Sequence, residues 1–206
     1  MSVPFIIYSL PRCRTAWLSE FLTYRDWTCY HEQALCMRDM DDVKTFFSLP
    51  NMGTVETAAF YGRHLIKNIV PDIKEVVVLR PVDESVEAMM RVDVSGIATY
   101  DRGILEKLLT RGDRELRRIA QDPNVLVVNY SDLAERDACA AIFEHCLPYS
   151  FDEGRWQSLQ RQNIQVDVKT VLLYYYKHRD RVEAFKKQCK SELRRLCRMG
   201  MVCAGA

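Results

Sequence analysis

Residues 75–80 read EVVVLR, an uninterrupted apolar run with a charge at each end. A strand with one face in water alternates polar and apolar side chains. This one does not, so it needs cover on both faces, as in a parallel sheet between helices. VPFIIY (3–8) and NVLVVNY (124–130) have the same character, and WTCYHE (27–32) reads as a further short strand. Between them lie segments of helical periodicity. Trp17 with Phe21 and Leu18 with Leu22 form an i,i+4 stripe that starts a helix near Arg14. Residues 39–49 and 55–68 read as helices parted by the turn signal LPNMGT, in which Gly53 and Thr54 fit a helix start. Val82, Val86, Met89 and Met90 repeat at helical spacing, and 103–120 reads as a charged, exposed helix. Asp132 followed by Glu135 resembles a capping box opening a helix to about Cys146. Strands alternating with helices predict a three-layer α/β/α fold on a mainly parallel sheet.

The chain has 206 residues and is 48% hydrophobic, which suits a single domain with a sizeable core. From about residue 150 it becomes helical, and beyond Asp167 the pattern continues to about 198, with Val171, Tyr175, His178, Val182 and Phe185 on one stripe. Lys177 to Arg198 holds nine basic and three acidic residues, read as a solvated helix face. With 29 Lys plus Arg against 28 Asp plus Glu, the net charge of +1 argues against a nucleic-acid binder. No apolar run reaches the ~18 residues of a membrane span, and the N-terminus reads as a strand rather than a signal peptide. The eight cysteines include no C-x-x-C pair and no spacing with histidine that suits zinc, so reduced thiols in a cytoplasmic protein without a metal are expected.

The chemistry concentrates where the first strand meets the first helix, in YSLPRCRTAWLSEFL (8–22). A loop running from a strand into a helix aims free N–H groups and the positive end of the helix dipole at one place, which suits an anion. Arg12 offers a cation, Thr15 a hydroxyl, and the amides of Cys13, Arg14, Thr15 and Ala16 a nest. The Walker pattern is absent, with neither lysine nor glycine in the loop, which disfavours an ordinary ATPase or GTPase.

Pro11, Arg12, Thr15, Trp17 and Leu18 resemble the nucleotide-binding loop of the sulfotransferases, P-[K/R]-S-G-T-T-W-L. Cys13 stands where that family has serine, and Arg14 where it has glycine. A second likeness is VVVLRPVDESVEAMMR, similar to the family's strand ending in R-x-P-x-D with a serine about eight residues after the arginine. Here Arg80 ends the strand, Pro81 follows with no spacer, Ala88 holds the eighth place and Ser85 lies nearby. A third is VLVVNYSDL (125–133), like the family's strand followed by Y-E-D-L. The three likenesses fall in the family's order over residues 3–146.

The resemblance implies a P-loop nucleotide-binding fold and 3′-phosphoadenosine 5′-phosphosulfate as donor, leaving 3′-phosphoadenosine 5′-phosphate. Its 5′ end would sit on residues 12–16 and its 3′-phosphate on Arg80, with Ser85 in reach. The reaction implied is sulfuryl transfer to a hydroxyl or amine of a small molecule or glycan. Such a transfer needs a base, and CYHEQ supplies His31 and Glu32 at the end of the second strand. Neighbours on a strand point to opposite faces, so one of the two should face the cleft. The resemblance favours Glu32, whereas the ordinary pKa of imidazole favours His31. His64, His145 and His178 fall within helices. Two rival readings stand beside this one. A P-loop kinase of a small molecule or nucleotide is disfavoured by the missing lysine. A non-catalytic nucleotide-binding module is suggested by Cys13, Arg14 and Ala88.

Overall fold

The structure is a computed structural model that describes residues 2–91, 101–162 and 164. These lie within one compact unit, Met1–Gln165; the unit Val166–Ala206 lies outside them. The expectations for the helix beyond Asp167, the basic stretch 177–198, His178, Cys189, Cys197 and Cys203 therefore fall outside the described residues.

The element order is β1 (Phe5–Ser9), α1 (Thr15–Leu22), β2 (Thr28–His31), α2 (Met40–Ser48), β3 (Met52–Glu56), α3 (Arg63–Ile69), β4 (Lys74–Leu79), α4 (Val82–Met90), α5 (Arg102–Ile119), β5 (Val125–Asn129), α6 (Arg136–Cys146) and α7 (Glu153–Gln160). Short 3-10 turns occupy Gln33–Cys36, Ala59–Gly62 and Tyr130–Ala134. The five strands among the described residues are all parallel, in the order β2-β3-β1-β4-β5. β1 is central, and every one of its residues is buried. This is the mixed α/β, helix-flanked parallel sheet that the apolar runs predict.

Register separates the two faces. Phe5, Ile7, Gly53, Val55, Val76 and Val78 share the face covered by α1 and α6, where the Phe21 and Phe143 rings meet at 5.4 Å between centroids. Tyr8, Thr54, Glu56 and Glu75 share the other, toward α3 and α5. That second face carries a buried polar row. Glu75 is 1% exposed and is satisfied by Arg63 at 2.6 Å and Lys67 at 3.3 Å, both from α3.

Two expectations are corrected. Residues 52–56 are a strand, not the approach to a helix: Gly53 and Thr54 lie in β3, between β2 and β1, and the helix begins only at Arg63. Gly53 is there because the Phe5 ring crosses it. A Cβ at 53 would stand 2.1 Å from Phe5 Cζ. The capping box is also absent. The Asp132 carboxylate accepts from Asn129 Nδ2 and Ser131 Oγ inside the 3-10 turn, and Glu135 at the start of α6 caps nothing with its side chain.

Candidate active site

β1 ends on Ser9, and Leu10–Arg14 turn the chain into α1. The turn is made without glycine. Arg12 and Arg14 take φ of 67° and 57°, a left-handed conformation that costs about 1–2 kcal/mol for an L-residue. Strain of this kind persists where surrounding contacts hold it, and it clusters at functional sites. Arg14 is the N-cap of α1 and gives it no side-chain cap, so nothing from that residue's side chain covers the first-turn amides. The hydroxyl of Ser9 is buried and makes no hydrogen bond among the described residues.

The loop side chains diverge. Arg12 is exposed. Cys13 is fully buried, and burial pushes its thiol up to about 12, so it is a packed neutral group rather than an anion. Arg14 turns away from the loop. Its guanidinium donates to the Leu133 carbonyl at 3.1 Å and to Gln160 Oε1 at 2.8 Å, and lies 4.3 Å from the Trp17 ring centre. Thr15 is buried and Ala16 half-buried, both in the first turn of α1.

Arg80, one residue beyond β4, reaches back to this loop. Its Nη1 donates to the Arg12 carbonyl, its guanidinium stacks 3.9 Å over the Tyr130 ring, and its Nε pairs with Glu84 at 3.3 Å. Ser85, on α4, is fully buried and faces the Cys13 thiol. Register and topology thus bring Arg12, Arg80 and Ser85 together from segments about 70 residues apart.

The third contribution comes from the end of β2. His31 shares the α1 face of the sheet with its partner Val55, and its Nε2 lies 2.8 Å from Thr15 Oγ1. Glu32 was expected to point away from His31, and here the structure differs. Glu32 has φ of 57°, which ends the strand's alternation and folds the side chain back, so that Oε1 comes within 4.0 Å of His31 Nε2. Both groups are largely buried. Desolvation holds the imidazole below its ordinary range and pushes the carboxyl above its own. Desolvation thus moves the two affinities for a proton toward one another. A neutral imidazole and an ionised carboxylate can each accept a proton, so either could serve as a base here.

Reading the sequence missed one ionisable member of this corner. Glu56, the last residue of β3, is 1% exposed; its Oε1 accepts from Thr54 Oγ1 at 2.6 Å and from the Ala34 amide at 2.9 Å. Burial, with the charge of Glu32, raises it to about 7. The signal was a carboxylate closing a short β-branched run, hidden by the helical reading of 55–68. His64 and His145 sit in α3 and α6, as expected. Among the described residues no three His, Cys, Asp or Glu side chains are grouped to hold a metal ion, and no helix is long and apolar enough to cross a membrane.

No family model and no curated protein matches the chain. Among solved structures, the fold is similar to that of mouse sulfotransferase SULT7A1, in a crystal structure complexed with PAP. The TM-score is 0.57 at 13% identity, over 77% of this chain and 64% of that one. The chain thus has a sulfotransferase-like P-loop fold, and it spans less than two thirds of that structure's length.

Proposed function

We propose that the protein transfers a sulfuryl group from 3′-phosphoadenosine 5′-phosphosulfate to a hydroxyl or amine of a small molecule or glycan. The observation that carries this reading is the meeting of Thr15, His31 and Glu32 at the uncapped start of α1, with Thr15 2.8 Å from His31 and His31 4.0 Å from Glu32. A hydroxyl donor at a helix N-terminus beside a buried base pair suits a reaction in which an anionic donor meets a proton-bearing acceptor. The fold likeness to a protein solved with PAP supports the choice of nucleotide.

The residues present fit such a donor. The first-turn amides of α1 and the Arg12 cation suit its 5′ phosphosulfate, and Ser9, at the end of β1, is a buried hydroxyl without a hydrogen-bond partner among the described residues. Arg80, already at the loop, suits the 3′-phosphate; Ser85 faces inward to Cys13 and shapes the loop from behind. Arg14 keeps α7 in contact with the loop. When bound, the donor supplies the transferable sulfuryl group and an anionic leaving phosphate. Arg12 and the α1 amides offset the charge that grows there, and His31 or Glu32 takes the proton that leaves the acceptor.

The test is calorimetric titration with 3′-phosphoadenosine 5′-phosphate against adenosine 5′-monophosphate. The wild type should prefer the bisphosphate. Arg80→Ala should remove most of that preference, and Arg12→Ala should weaken binding of both by about 1.5–3 kcal/mol, the value of one charge-assisted hydrogen bond. Equal wild-type affinities would overturn the reading, and magnesium-dependent binding of ATP instead would favour a kinase. With an acceptor found by screening, Glu32→Gln and His31→Asn identify the base: the one that matters should lose about 10²–10⁴-fold in turnover while keeping nucleotide affinity.

A further inference from the structure

Glu32 departs from β2 in an unusual way. Its amide still donates to Val55 O at 2.9 Å, extending the β2–β3 ladder, and then its φ of 57° reverses the chain into the 3-10 turn Gln33–Cys36. A turn that starts so abruptly leaves amides without partners, and Glu32, at its N-cap, offers no side-chain cap. The cap comes from the neighbouring strand. Glu56 Oε1 accepts the Ala34 amide at 2.9 Å, and the Gln33 amide also bears on this carboxylate. Thr54 Oγ1 donates to the same oxygen at 2.6 Å, which fixes the rotamer from two residues back on β3.

We propose that Glu56 is a positioning residue for the His31–Glu32 pair: it caps the Gln33–Cys36 turn from across the sheet and so holds Glu32 folded back beside His31. The proposal rests on the reading that this pair takes the acceptor's proton. Its physical basis is that the reversal at Glu32 is a strained conformation, and strain of about 1–3 kcal/mol needs contacts that over-determine it. A charge-assisted bond from a buried carboxylate is among the strongest such contacts.

The hold should depend on pH. Burial is the largest cause raising Glu56 to about 7, and Glu32 adds to it. The other ionisable groups facing it across the sheet are Tyr8 of β1, whose phenol burial keeps neutral, Glu75 of β4 with Arg63 of α3, and from β2 Tyr30, paired with Thr54 on the same face, and Cys29, whose thiol burial and the charge of Glu56 push up. From the remaining neighbours of β3, α1 buries Thr15, Trp17, Leu18, Ser19, Phe21 and Leu22 and α2 buries Phe46 and Phe47, none charged. Above about 7 the cap is a carboxylate; below it, a neutral acid whose carbonyl oxygen holds the amides less strongly.

The experiment follows the His31 ring by NMR through a pH titration of the full chain, in wild type, Glu56→Gln and Glu56→Ala. In the wild type the ring shifts should show a second inflection near 7, that of Glu56. Glu56→Gln keeps the shape and removes the charge, so this inflection should vanish while the turn stays formed. Glu56→Ala should release the turn, move the His31 titration toward its ordinary value, and lower turnover about 10²-fold with the affinity for 3′-phosphoadenosine 5′-phosphate unchanged. Superimposable His31 titrations in all three proteins would overturn the proposal, as would persistence of the inflection in Glu56→Gln. A wild type that fails to bind the bisphosphate would sink the sulfuryl-transfer reading and leave the His31 result standing.

Discussion

Burial moves His31 and Glu56 in opposite directions, and the two bear on stability over different ranges of pH. Glu56 titrates at about 7 in the fold and at its ordinary 4.5 once unfolded. Between those values the unfolded chain releases this proton first. The contribution of Glu56 is therefore complete below 4.5 and is lost as pH rises through about 7, by an amount on the order of 3 kcal/mol. His31 works the other way. Its folded value lies below 6.5, so its contribution is complete above 6.5 and is lost as pH falls through the folded value. Glu56→Gln should accordingly gain on the wild type as pH rises from 4.5 to 8. Urea denaturation at those two pH values measures this. An unchanging difference would mean that Glu56 does not titrate in the fold near neutrality.

At the scale of the element, β3 carries more of the site than its five residues suggest. Its first half makes room for Phe5, which stacks on Trp27 at 5.8 Å between ring centroids. Its second half supplies Thr54, the Val55 carbonyl that holds Glu32, and Glu56. Gly53→Ala would drive a methyl into a ring that is itself packed, 2.1 Å from Cζ. Overpacking of this kind costs about 1–3 kcal/mol, and the shift should be visible in thermal melts followed by circular dichroism. An alanine variant as stable as the wild type would show that Phe5 has another place to go. The strand was hidden in the sequence because a proline, an asparagine and a glycine crowd residues 50–53, and each is a turn former where local signals alone decide.

Across the whole molecule, the loop is tied to chain that lies far along the sequence. Arg14 and Gln160 are 146 residues apart and bond at 2.8 Å, and Trp17 Nε1 donates to the Leu159 carbonyl at 3.0 Å. Arg155 of α7 also reaches α1, donating to the Phe21 carbonyl at 3.3 Å. Helix α7 is thus seated on α1 by one side-chain pair and two contacts to backbone carbonyls, the latter fixing position better than a rotatable pair does. Arg14→Ala removes the bond to Gln160, the bond to the Leu133 carbonyl of the 3-10 turn, and the stacking on Trp17. Amide exchange in α7 should then quicken by about 10-fold or more, as for a local loss near 1.4 kcal/mol, while β1 and β4 keep their protection. Equal exchange in both proteins would mean that Trp17 and Arg155 seat the helix alone.

Four of the five strands, the helix after the loop and the parallel layering were legible in the sequence, because apolar runs and a 3.6-residue period are written locally and each face of this sheet is covered. Arg12, Thr15, His31, Glu32 and Arg80 were named as candidates from the sequence because each lies at or just beyond the carboxyl end of a strand, where ligands bind in open α/β sheets. The tertiary structure decided the rest. It made 52–56 a strand, because two neighbouring strands offered it a complete ladder. It turned Glu32 back to His31 through a left-handed residue, a conformation that no side-chain pattern announces. It brought Glu56 under that turn and sent Arg14 to Gln160, since the partner of a polar side chain depends on which distant backbone comes to lie beside it.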